Sequence, residues 1–291
     1  MNRLPPYVCL NGRFVAASRA RVSVFDRGLL YGDGLFETVR SYSGRLFALD
    51  DHLARLHQSA DFLRLRVPNR AWRNDIERLL RRCRLDKSDA AVRITVTRGP
   101  AAPGLLPPSR PVPTVLIVAT PIAATVARDQ QHGINVALLP FGRTGLLAEH
   151  KTLDYLPAIL GRIYAQEHGA CDALYVDRGC LSEATTANLF VVRDGQLFTP
   201  PVSALLPGVT RKWVLEAARL EGVKVRERPI RKAVLAESDE AFLTSSVVEV
   251  MPLIRTTEFV VGTGRVGALT KRIQRRYRHM IDTALSLRAS P

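Results

Sequence analysis

The chain has 291 residues, 46% of them hydrophobic, which is enough for a full globular core and for two lobes. Its net charge of +15 at pH 7 is of the kind that can indicate a nucleic-acid-binding protein. The excess is spread over the whole sequence, however, and its local clusters at residues 78–84 and 271–278 fall in amphipathic helical patterns. No aromatic RNA-binding signature or Cys/His finger accompanies them, so we expect no specific nucleic-acid partner.

The sequence patterns predict neither a membrane span nor an export signal. No apolar run approaches the ~18 residues that suggest a membrane span. The first six residues lack the apolar core of a signal peptide. The four cysteines are widely spaced without a CxxC pair, which predicts neither a metal site nor a disulfide framework and fits a reducing cytoplasm.

The first 121 residues read as an N-terminal α/β lobe. Alternating apolar residues on either side of Asn11-Gly12 predict a hairpin over residues 7–15. Short strands are predicted at 21–25, 35–42, 91–97 and 114–120. Three glycines predict a loop over residues 28–34. Asp50 or Asp51 is expected to cap a helix to about residue 66, and a second helix follows to about 85. Residues 99–113 form a Pro/Gly-rich loop long enough to be functional.

Residues 122–132 read as a linker, and residues 133–291 as a larger C-terminal lobe. Strands are predicted at 133–140, 172–176, 187–192, 196–199, 223–228, 241–244, 250–254 and 259–261. Helices are predicted at 156–168, 209–220, 231–236 and 269–287. There is no internal repeat and no regular βαβ alternation, and no GxGxxG follows a strand, which disfavours a Rossmann fold. The sequence therefore predicts a two-lobed α+β to α/β architecture.

Lys151 is the first candidate for chemistry. The chain contains only six lysines against 36 arginines, and a lysine can lose its proton and form a Schiff base where an arginine cannot. The other five lysines lie in polar, alternating-charge or helix-start contexts. Lys151 alone stands between a Gly-rich approach and an apolar run, so we take it as a candidate nucleophile.

Other segments have the chemistry of a phosphate site with a nearby carboxylate. Pro207-Gly208 precedes a helix whose free N–H groups and Thr210 hydroxyl suit an anion. Small hydroxyl residues end a strand at residues 244–246, and Arg55 can add a cation. Glu183 ends a strand beside small residues, which leave room for its carboxylate to approach the edge of a bound aromatic ring. Schiff-base lysine, phosphate donors and carboxylate together suggest pyridoxal 5'-phosphate.

The chain resembles the class IV aminotransferases, the fold type IV pyridoxal phosphate enzymes. The resemblance runs from about Val22 to Tyr277 and rests on several motifs in one order. These are Asp26-Arg27-Gly28, Tyr31-Gly32-Asp33-Gly34-Leu35-Phe36-Glu37, His52-Leu53-Ala54-Arg55-Leu56, Lys151-Thr152-Leu153-Asp154-Tyr155-Leu156, Ser182-Glu183, Asn188-Leu189-Phe190, Leu206-Pro207-Gly208-Val209-Thr210-Arg211, and Ser245-Ser246 through Glu249 to Pro252. The family includes branched-chain and D-amino-acid aminotransferases, R-selective amine transaminases and 4-amino-4-deoxychorismate lyase.

The resemblance implies a fold and a set of roles. It implies a small N-terminal lobe and a larger C-terminal lobe, with the cofactor at their boundary, in a homodimer. Lys151 would form the Schiff base and shuttle protons, while Glu183 would pair with the pyridine nitrogen. Tyr155 would face the cofactor's phenolate oxygen. The phosphate would be held by Arg55, Val209, Thr210, Ser245 and Ser246. Tyr31, Phe36 and Thr38 would line the substrate side.

Two departures leave the substrate branch open. Asp154 stands where the family commonly has asparagine. Pro103-Gly104 stands where the D-amino-acid and lyase branches carry an arginine for the substrate carboxylate, and Arg93, Arg98 or Arg110 are the candidates to replace it. The principal hypothesis is amino transfer between an amino acid or amine and a 2-oxo acid. Thr38 favours the lyase as the alternative, and a catalytically silent nucleic-acid binder is the remote one.

Overall fold

The computed structural model describes residues 4–142 and 145–287 and divides the chain into two compact units. The first unit contains the chain up to Ile122 together with His150–Asp154, and the second contains Ala123–Glu149 and the chain from Tyr155 onward. Residues 150–154 thus belong to the first unit, although the sequence-based division assigns them to the C-terminal lobe. The segment predicted as a linker lies mostly in the second unit and contains a helix, Thr125–His132.

The first unit is built on a six-stranded sheet. Its strands are β1 (Tyr7–Leu10), β2 (Arg13–Ala16), β3 (Gly34–Tyr42), β4 (Arg45–Leu46), β5 (Ala90–Thr97) and β6 (Thr114–Pro121). They lie in the order β2-β1-β6-β5-β3-β4, and every pairing is antiparallel. Long central strands β3 and β5 pair over eight residues from Gly34↔Thr97 to Ser41↔Ala90, which gives Phe36, Thr38 and the residues opposite them fixed positions.

The α-helices that accompany this sheet among the described residues are α1 (Arg27–Tyr31), α2 (Leu49–Phe62) and α3 (Trp72–Arg82), and a 3-10 turn covers Ala17–Arg19. The apolar faces of α2 and α3, including Leu56, Ile76 and Leu79, join the core formed by Val39, Val92 and other strand residues. Both helices are confirmed, although the predicted ends at about residues 66 and 85 lie beyond the observed ends at Phe62 and Arg82.

A short segment around Lys151 pairs with the open edge of β3. Phe36 N–H donates to the Lys151 carbonyl at 2.9 Å, and Leu153 N–H donates to the Gly34 carbonyl at 3.1 Å. Thr152 and Leu35 form an isolated antiparallel bridge between these two bonds. Strand β4 reaches only Ser41 and Tyr42, so the first residues of β3 keep the unpaired edge that this segment occupies.

The second unit contains a nine-stranded sheet. Its strands are β7 (Ile134–Leu139), β8 (Asp172–Asp177), β9 (Cys180–Ala184), β10 (Asn188–Arg193), β11 (Gln196–Thr199), β12 (Val225–Glu227), β13 (Ile230–Arg231), β14 (Glu240–Ser245) and β15 (Glu249–Thr256). They follow the order β12-β11-β10-β14-β15-β7-β8-β9-β13. A further pairing, Glu183↔Asn188, joins β9 to β10 and closes six of the strands into a ring.

The α-helices in the described part of this unit are α4 (Thr125–His132), α5 (Leu156–Glu167), α6 (Val209–Leu220), α7 (Lys232–Ala236) and α8 (Ala268–Leu287), and a 3-10 turn covers Val202–Ala204. Helix α5 approaches the sheet closely at Gly161, where a Cβ atom would lie 2.8 Å from Thr185 Cγ2. Buried apolar residues such as Leu189, Leu243 and Leu253 form the core of the ring.

Several element predictions are wrong in detail. Residues 21–25 form no strand, and the predicted loop at 28–34 overlaps α1, whose N-cap Asp26 accepts a hydrogen bond from Gly28 N–H at 2.8 Å. Helix α2 begins at Leu49 with Ala48 as its N-cap, so the cap lies two or three residues before the predicted Asp50 or Asp51. Strand β9 contains Glu183 near its end, as predicted, although the sequence patterns gave this strand no bounds; residues 259–261 form only a single bridge. Short alternating stretches carry too little local signal to distinguish strand from loop.

Within residues 4–142 and 145–287, no helix combines the length and the apolarity that a membrane span requires.

Phe242 offers a test of the second unit's core. Its ring is fully buried and stacks on Phe190 with centroids 5.1 Å apart. Phe242→Ala should lower the free energy of unfolding by about 3–5 kcal/mol because it removes a large buried ring and leaves a cavity. Urea unfolding measures the change, and Lys224→Ala, at an exposed position, should stay within about 0.5 kcal/mol of wild type. Equal stability of the two variants would contradict this packing.

Candidate functional site

Lys151 lies against an aromatic side chain of the first unit. Its Nζ is 4.5 Å from the centroid of the Phe36 ring. The Arg93 guanidinium carbon lies 3.5 Å from the same centroid, and Arg93 stands opposite Thr38 in the β3–β5 register. The candidate Schiff-base lysine and three of the candidate substrate residues therefore cluster on one part of this unit.

The close packing around Lys151 depends on glycine. A Cβ atom at Gly34 would lie 2.7 Å from the Val96 carbonyl oxygen and 2.8 Å from Leu153 Cδ1. Any side chain at position 34 would therefore push the Lys151 segment away from β3. Thr152, beside the lysine, is buried, and its hydroxyl has no hydrogen-bond partner among the described residues.

A buried charge cluster fixes Arg55. Arg55 Nε donates to Glu37 Oε1 at 2.8 Å, and its Nη2 donates to Glu37 Oε2 at 2.7 Å. His52 Nδ1 lies 2.7 Å from the same Oε2. All three side chains are buried, on β3 and α2. The candidate phosphate ligand Arg55 is thus held in one orientation by two residues whose role the sequence analysis missed, although both lie in its motifs.

The ionisation of this cluster follows from its contacts. Burial opposes the charge on Glu37, but the Arg55 charge and the His52 hydrogen bond outweigh it and hold the Glu37 pKa far below its ordinary value. Burial also lowers the pKa of His52, despite the opposing effect of Glu37. His52 is then neutral at pH 7, and its Nδ1–H donates to the Glu37 carboxylate.

A second charge cluster ties the 99–113 loop to α1. Arg27 donates to Asp33 at 2.7 Å and to the carbonyls of Gly104 and Leu105 at 2.6 and 3.0 Å. The Tyr31 hydroxyl accepts from Gly104 N–H at 3.0 Å. The loop is therefore anchored beside the candidate residue Tyr31. The sequence analysis names Arg27 within a motif but assigns it no role in holding this loop.

Arg98 is engaged within the same unit. Its Nε donates to Asp33 at 2.7 Å, and its two terminal nitrogens donate to the carbonyls of Arg64 and Leu63 at 2.7 and 3.0 Å. Burial opposes the charge on Asp33, but hydrogen bonds from Arg98 and Arg27 outweigh it and lower the Asp33 pKa. These contacts join the end of β5 to the end of α2.

Glu183 is the buried carboxylate of the second unit. Its Oε2 accepts from Asn188 Nδ2 and from Leu206 N–H, both at 3.3 Å, and Asn188 Nδ2 also donates to the Leu206 carbonyl at 2.9 Å. One face of the carboxylate is therefore fixed by β10 and by the segment that leads into α6. Asn188 and Leu206, like Glu37 and His52, are motif residues to which the sequence analysis gives no role.

A row of polar side chains crosses three strands at this point. Glu183 pairs with Asn188, and Asn188 pairs with Thr244 in the register. Directly paired residues face the same side of a sheet, so these three side chains share one face. The Thr244 hydroxyl is buried without a partner among the described residues, and so is the hydroxyl of Ser182, next to Glu183. Unpaired buried donors at this place fit a polar ligand.

The start of α6 adjoins the same row. Gly208 is the N-cap, and a Cβ atom there would lie 2.0 Å from Asn188 Oδ1, so no larger residue fits. The first N–H groups of α6, at Val209 and Thr210, have no partner within the helix. Both residues are buried at its N-terminus, where the helix dipole favours an anion.

The remaining candidates lie at two turns of this unit. Ser245 is the last residue of β14 and Ser246 follows it in the turn to β15, where Val248 N–H donates to Ser245 Oγ at 3.4 Å. Tyr155 is the half-buried N-cap residue of α5. Among residues 4–142 and 145–287, no group of three or more His, Cys, Asp or Glu side chains is placed to hold a metal ion.

The chain is similar to a known family and to several named proteins. Residues 34–255 match the family described as amino-transferase class IV. A putative branched-chain-amino-acid aminotransferase of Methanocaldococcus jannaschii is 36% identical over 93% of this chain and 95% of its own length. A D-alanine aminotransferase of Bacillus licheniformis is 32% identical over 92% of this chain and 94% of its own.

Solved structures give the same fold. A branched-chain amino acid aminotransferase of T.th. solved with pyridoxamine 5'-phosphate has a TM-score of 0.86 at 26% identity, over 95% of this chain and 94% of that one. The 4-amino-4-deoxychorismate lyase of Pseudomonas aeruginosa has a TM-score of 0.83 at 31% identity, over 94% of this chain and 99% of that one. The expected two-lobed fold type IV architecture is thereby confirmed.

The Glu37 cluster predicts a pH-dependent stability. A carboxyl whose pKa is lower in the folded state stabilises the fold fully above its ordinary value of 4.5, and this contribution is lost as the pH falls. Glu37→Gln should therefore cost about 3–5 kcal/mol at pH 7, because Arg55 keeps its charge without a buried partner. The cost should shrink toward pH 3.5.

Urea unfolding of both proteins at pH 7, 4.5 and 3.5 measures this difference. Glu167→Gln, at an exposed carboxyl of α5, is the matched control and should leave the unfolding curves unchanged. A Glu37→Gln penalty that is independent of pH would rule out the ionised cluster.

Proposed function

Because this chain belongs to the class IV aminotransferase family, we propose that it transfers an amino group between an amino acid or amine and a 2-oxo acid through Lys151. The observation that carries the assignment to Lys151 is its placement. Two backbone hydrogen bonds hold its segment on β3, and its amine lies over Phe36. A catalytic nucleophile requires such a fixed position.

The cofactor is pyridoxal 5'-phosphate, which joins to an amine and supplies a ring that withdraws electrons from the adjacent carbon. The residues of this chain fit it. Glu183 is a buried carboxylate whose Oε2 is fixed by two hydrogen bonds. A fixed carboxylate is the kind of partner that stabilises a protonated ring nitrogen. The unpaired hydroxyl of Thr244 and the N-terminus of α6 lie along the same row and offer donors for an anion.

Each candidate residue then has a proposed task. Lys151 would hold the cofactor covalently, and its amine, once displaced by the incoming amine of the substrate, would remove and return the proton at the reacting carbon. Glu183 would keep the ring nitrogen protonated, and Tyr155 would donate to the phenolate oxygen. The phosphate is held by Arg55, Val209, Thr210, Ser245 and Ser246. Glu37 and His52 keep Arg55 in orientation, so it loses little conformational entropy on binding.

Arg93 is the proposed partner of the substrate carboxylate. It lies with Lys151 beside the Phe36 ring and opposite Thr38, so a carboxylate bound to it would stay close to the lysine amine. Arg98 is less suited to this task, because its Nε and both terminal nitrogens donate to Asp33 and to two carbonyls. Arg110 lies on the exposed surface of the loop.

Lyase activity is the second candidate function. Thr38 is the residue that favours it, and the lyase of Pseudomonas aeruginosa has the same fold over nearly its full length. In that reaction pyruvate would leave and p-aminobenzoate would form. Assaying p-aminobenzoate release against amino transfer to a 2-oxo acid separates the two outcomes with one protein preparation.

We also propose a homodimer. Four large apolar side chains of α5 are exposed in the single chain, at 46–67% of their surface. They are Leu156, Ile159, Leu160 and Ile163. A stripe of this kind on one helix is typical of a surface covered by a partner.

The four cysteines are free, which is consistent with the reducing cytoplasm that we propose as the compartment of this protein.

Lys151→Ala should abolish the visible absorbance band of the lysine-bound cofactor. It should also reduce amino transfer by at least about 10²–10⁴-fold, because the base is lost with the attachment point. Absorbance spectra with borohydride reduction, followed by turnover assays, provide the measurement. Lys87→Ala, at an exposed lysine of the first unit, should behave as wild type. A Lys151→Ala protein with the reducible band and full turnover would refute the assignment.

A half-reaction screen with L-amino acids, D-amino acids and R-amines, read from the change in that band, gives the donor class. Arg93→Gln should then raise the KM of amino acids about 10–100-fold, since a charge-assisted hydrogen bond is lost. Amines without a carboxylate should be affected little, and they serve as the internal control. If both donor types lose activity equally, Arg93 does not bind the carboxylate.

A further inference from the structure

The basic segment of α8, residues 271–278, divides into two faces. Arg272 and Arg276 pair with Glu221, at 3.3 and 2.5 Å, on the side toward α6. Lys271 and Arg275, also one helical turn apart, lie on a different face and line a cleft of about 620 Å³ between α4, β15 and α8. In the part of the chain that the structure describes, neither Lys271 nor Arg275 forms an ion pair.

The wall of this cleft is fixed by side-chain amides. Gln274 Nε2 donates to the carbonyls of Gln130 and Val250, both at 3.0 Å, and thereby ties α8 to α4 and β15. Gln130 Nε2 donates in turn to the Val248 carbonyl at 2.9 Å. The cleft is therefore preformed, and binding there requires little rearrangement of the backbone.

The charge balance of the cleft is positive. Its acidic lining residue, Glu249, is buried and accepts from Arg278 Nη2 at 2.6 Å, so this carboxylate is already neutralised by a cation. Lys271 and Arg275 then contribute about two uncompensated charges. A cleft lined by one sign of charge concentrates the opposite ion, because its walls focus the field.

We propose that this cleft binds a small anion with two or more negative charges, a phosphate ester or a polycarboxylate. Its volume is in the range of small-molecule sites, which span about 300–1,000 Å³. Lys271 and Arg275 would bind the anionic groups by charge-assisted hydrogen bonds, which are stronger than neutral ones. The inference does not depend on the proposed amino transfer.

The cleft also adjoins a candidate cofactor segment. Val248, whose carbonyl accepts from Gln130, donates its own N–H to Ser245 Oγ at 3.4 Å. Glu249 closes the same β14–β15 turn in a left-handed conformation, with φ of 54°. The wall of the anion site and the turn that carries Ser245 and Ser246 therefore share residues of one tight connection.

Isothermal titration of the cofactor-saturated protein tests the proposal. The probes are inorganic pyrophosphate and tricarballylate, a tricarboxylate with no amino or oxo group, each at an ionic strength fixed with chloride. We expect saturable binding of at least one probe at one site per chain, and the probe that binds identifies the anionic group. Lys271→Ala/Arg275→Ala should weaken it by about tenfold or more.

The matched control is Arg272→Ala/Arg276→Ala, which removes the same charge with the same spacing from the face that contacts Glu221. It should bind the probe nearly as tightly as wild type. Equal weakening by both double variants would indicate general attraction to a basic protein, and absence of binding in wild type would also overturn the proposal. Circular dichroism and the visible cofactor band verify folding, and Arg275→Gln alone replaces the double variant if that one is unstable.

Discussion

The pairing of the Lys151 segment with β3 is the constraint on which the candidate chemistry of the first unit depends. Two backbone hydrogen bonds and one bridge hold residues 151–153 along Gly34–Phe36. This fixes the lysine side chain relative to Phe36, and β3 fixes Phe36 relative to Arg93 through its pairing with β5. Backbone pairing positions a reactive group more precisely than a flexible loop does.

The same strand carries the support for Arg55. Glu37 alternates with Phe36 along β3 and therefore points to the opposite face, where it meets Arg55 and His52 of α2. One strand thus presents an aromatic platform for the lysine on one face and a buried carboxylate for the arginine on the other. A shift of β3 by one residue would exchange these faces and disrupt both arrangements.

The second unit uses a comparable arrangement. Strand register places Glu183, Asn188 and Thr244 in one row, and Asn188 contacts both Glu183 and the segment that leads into α6. Asn188 also explains why Gly208 must lack a side chain. The carboxylate and the helix N-terminus, which serve different parts of a cofactor in our proposal, are therefore held by one amide.

The order of residues alone was enough to predict the strongly periodic elements, the family and the candidate residues. Helix α2 follows from its apolar period, α6 from its start at Pro207-Gly208, and Lys151 stands out because lysine is rare in this chain. Motif order then identifies the class IV aminotransferases, as the match over residues 34–255 confirms. These features are local, so they can be read without knowing which segments pack together.

The residues that support the candidates became visible only once the chain was folded. Glu37 and His52 stand in the motifs, but their contacts with each other and with Arg55 join residues 15 and 18 positions apart. Arg27 reaches a carbonyl 77 positions away, and Lys151 belongs to the first unit because the edge of β3 was open to it. Such pairings depend on strand register and burial, which arise from long-range packing and leave no periodic signal in the sequence.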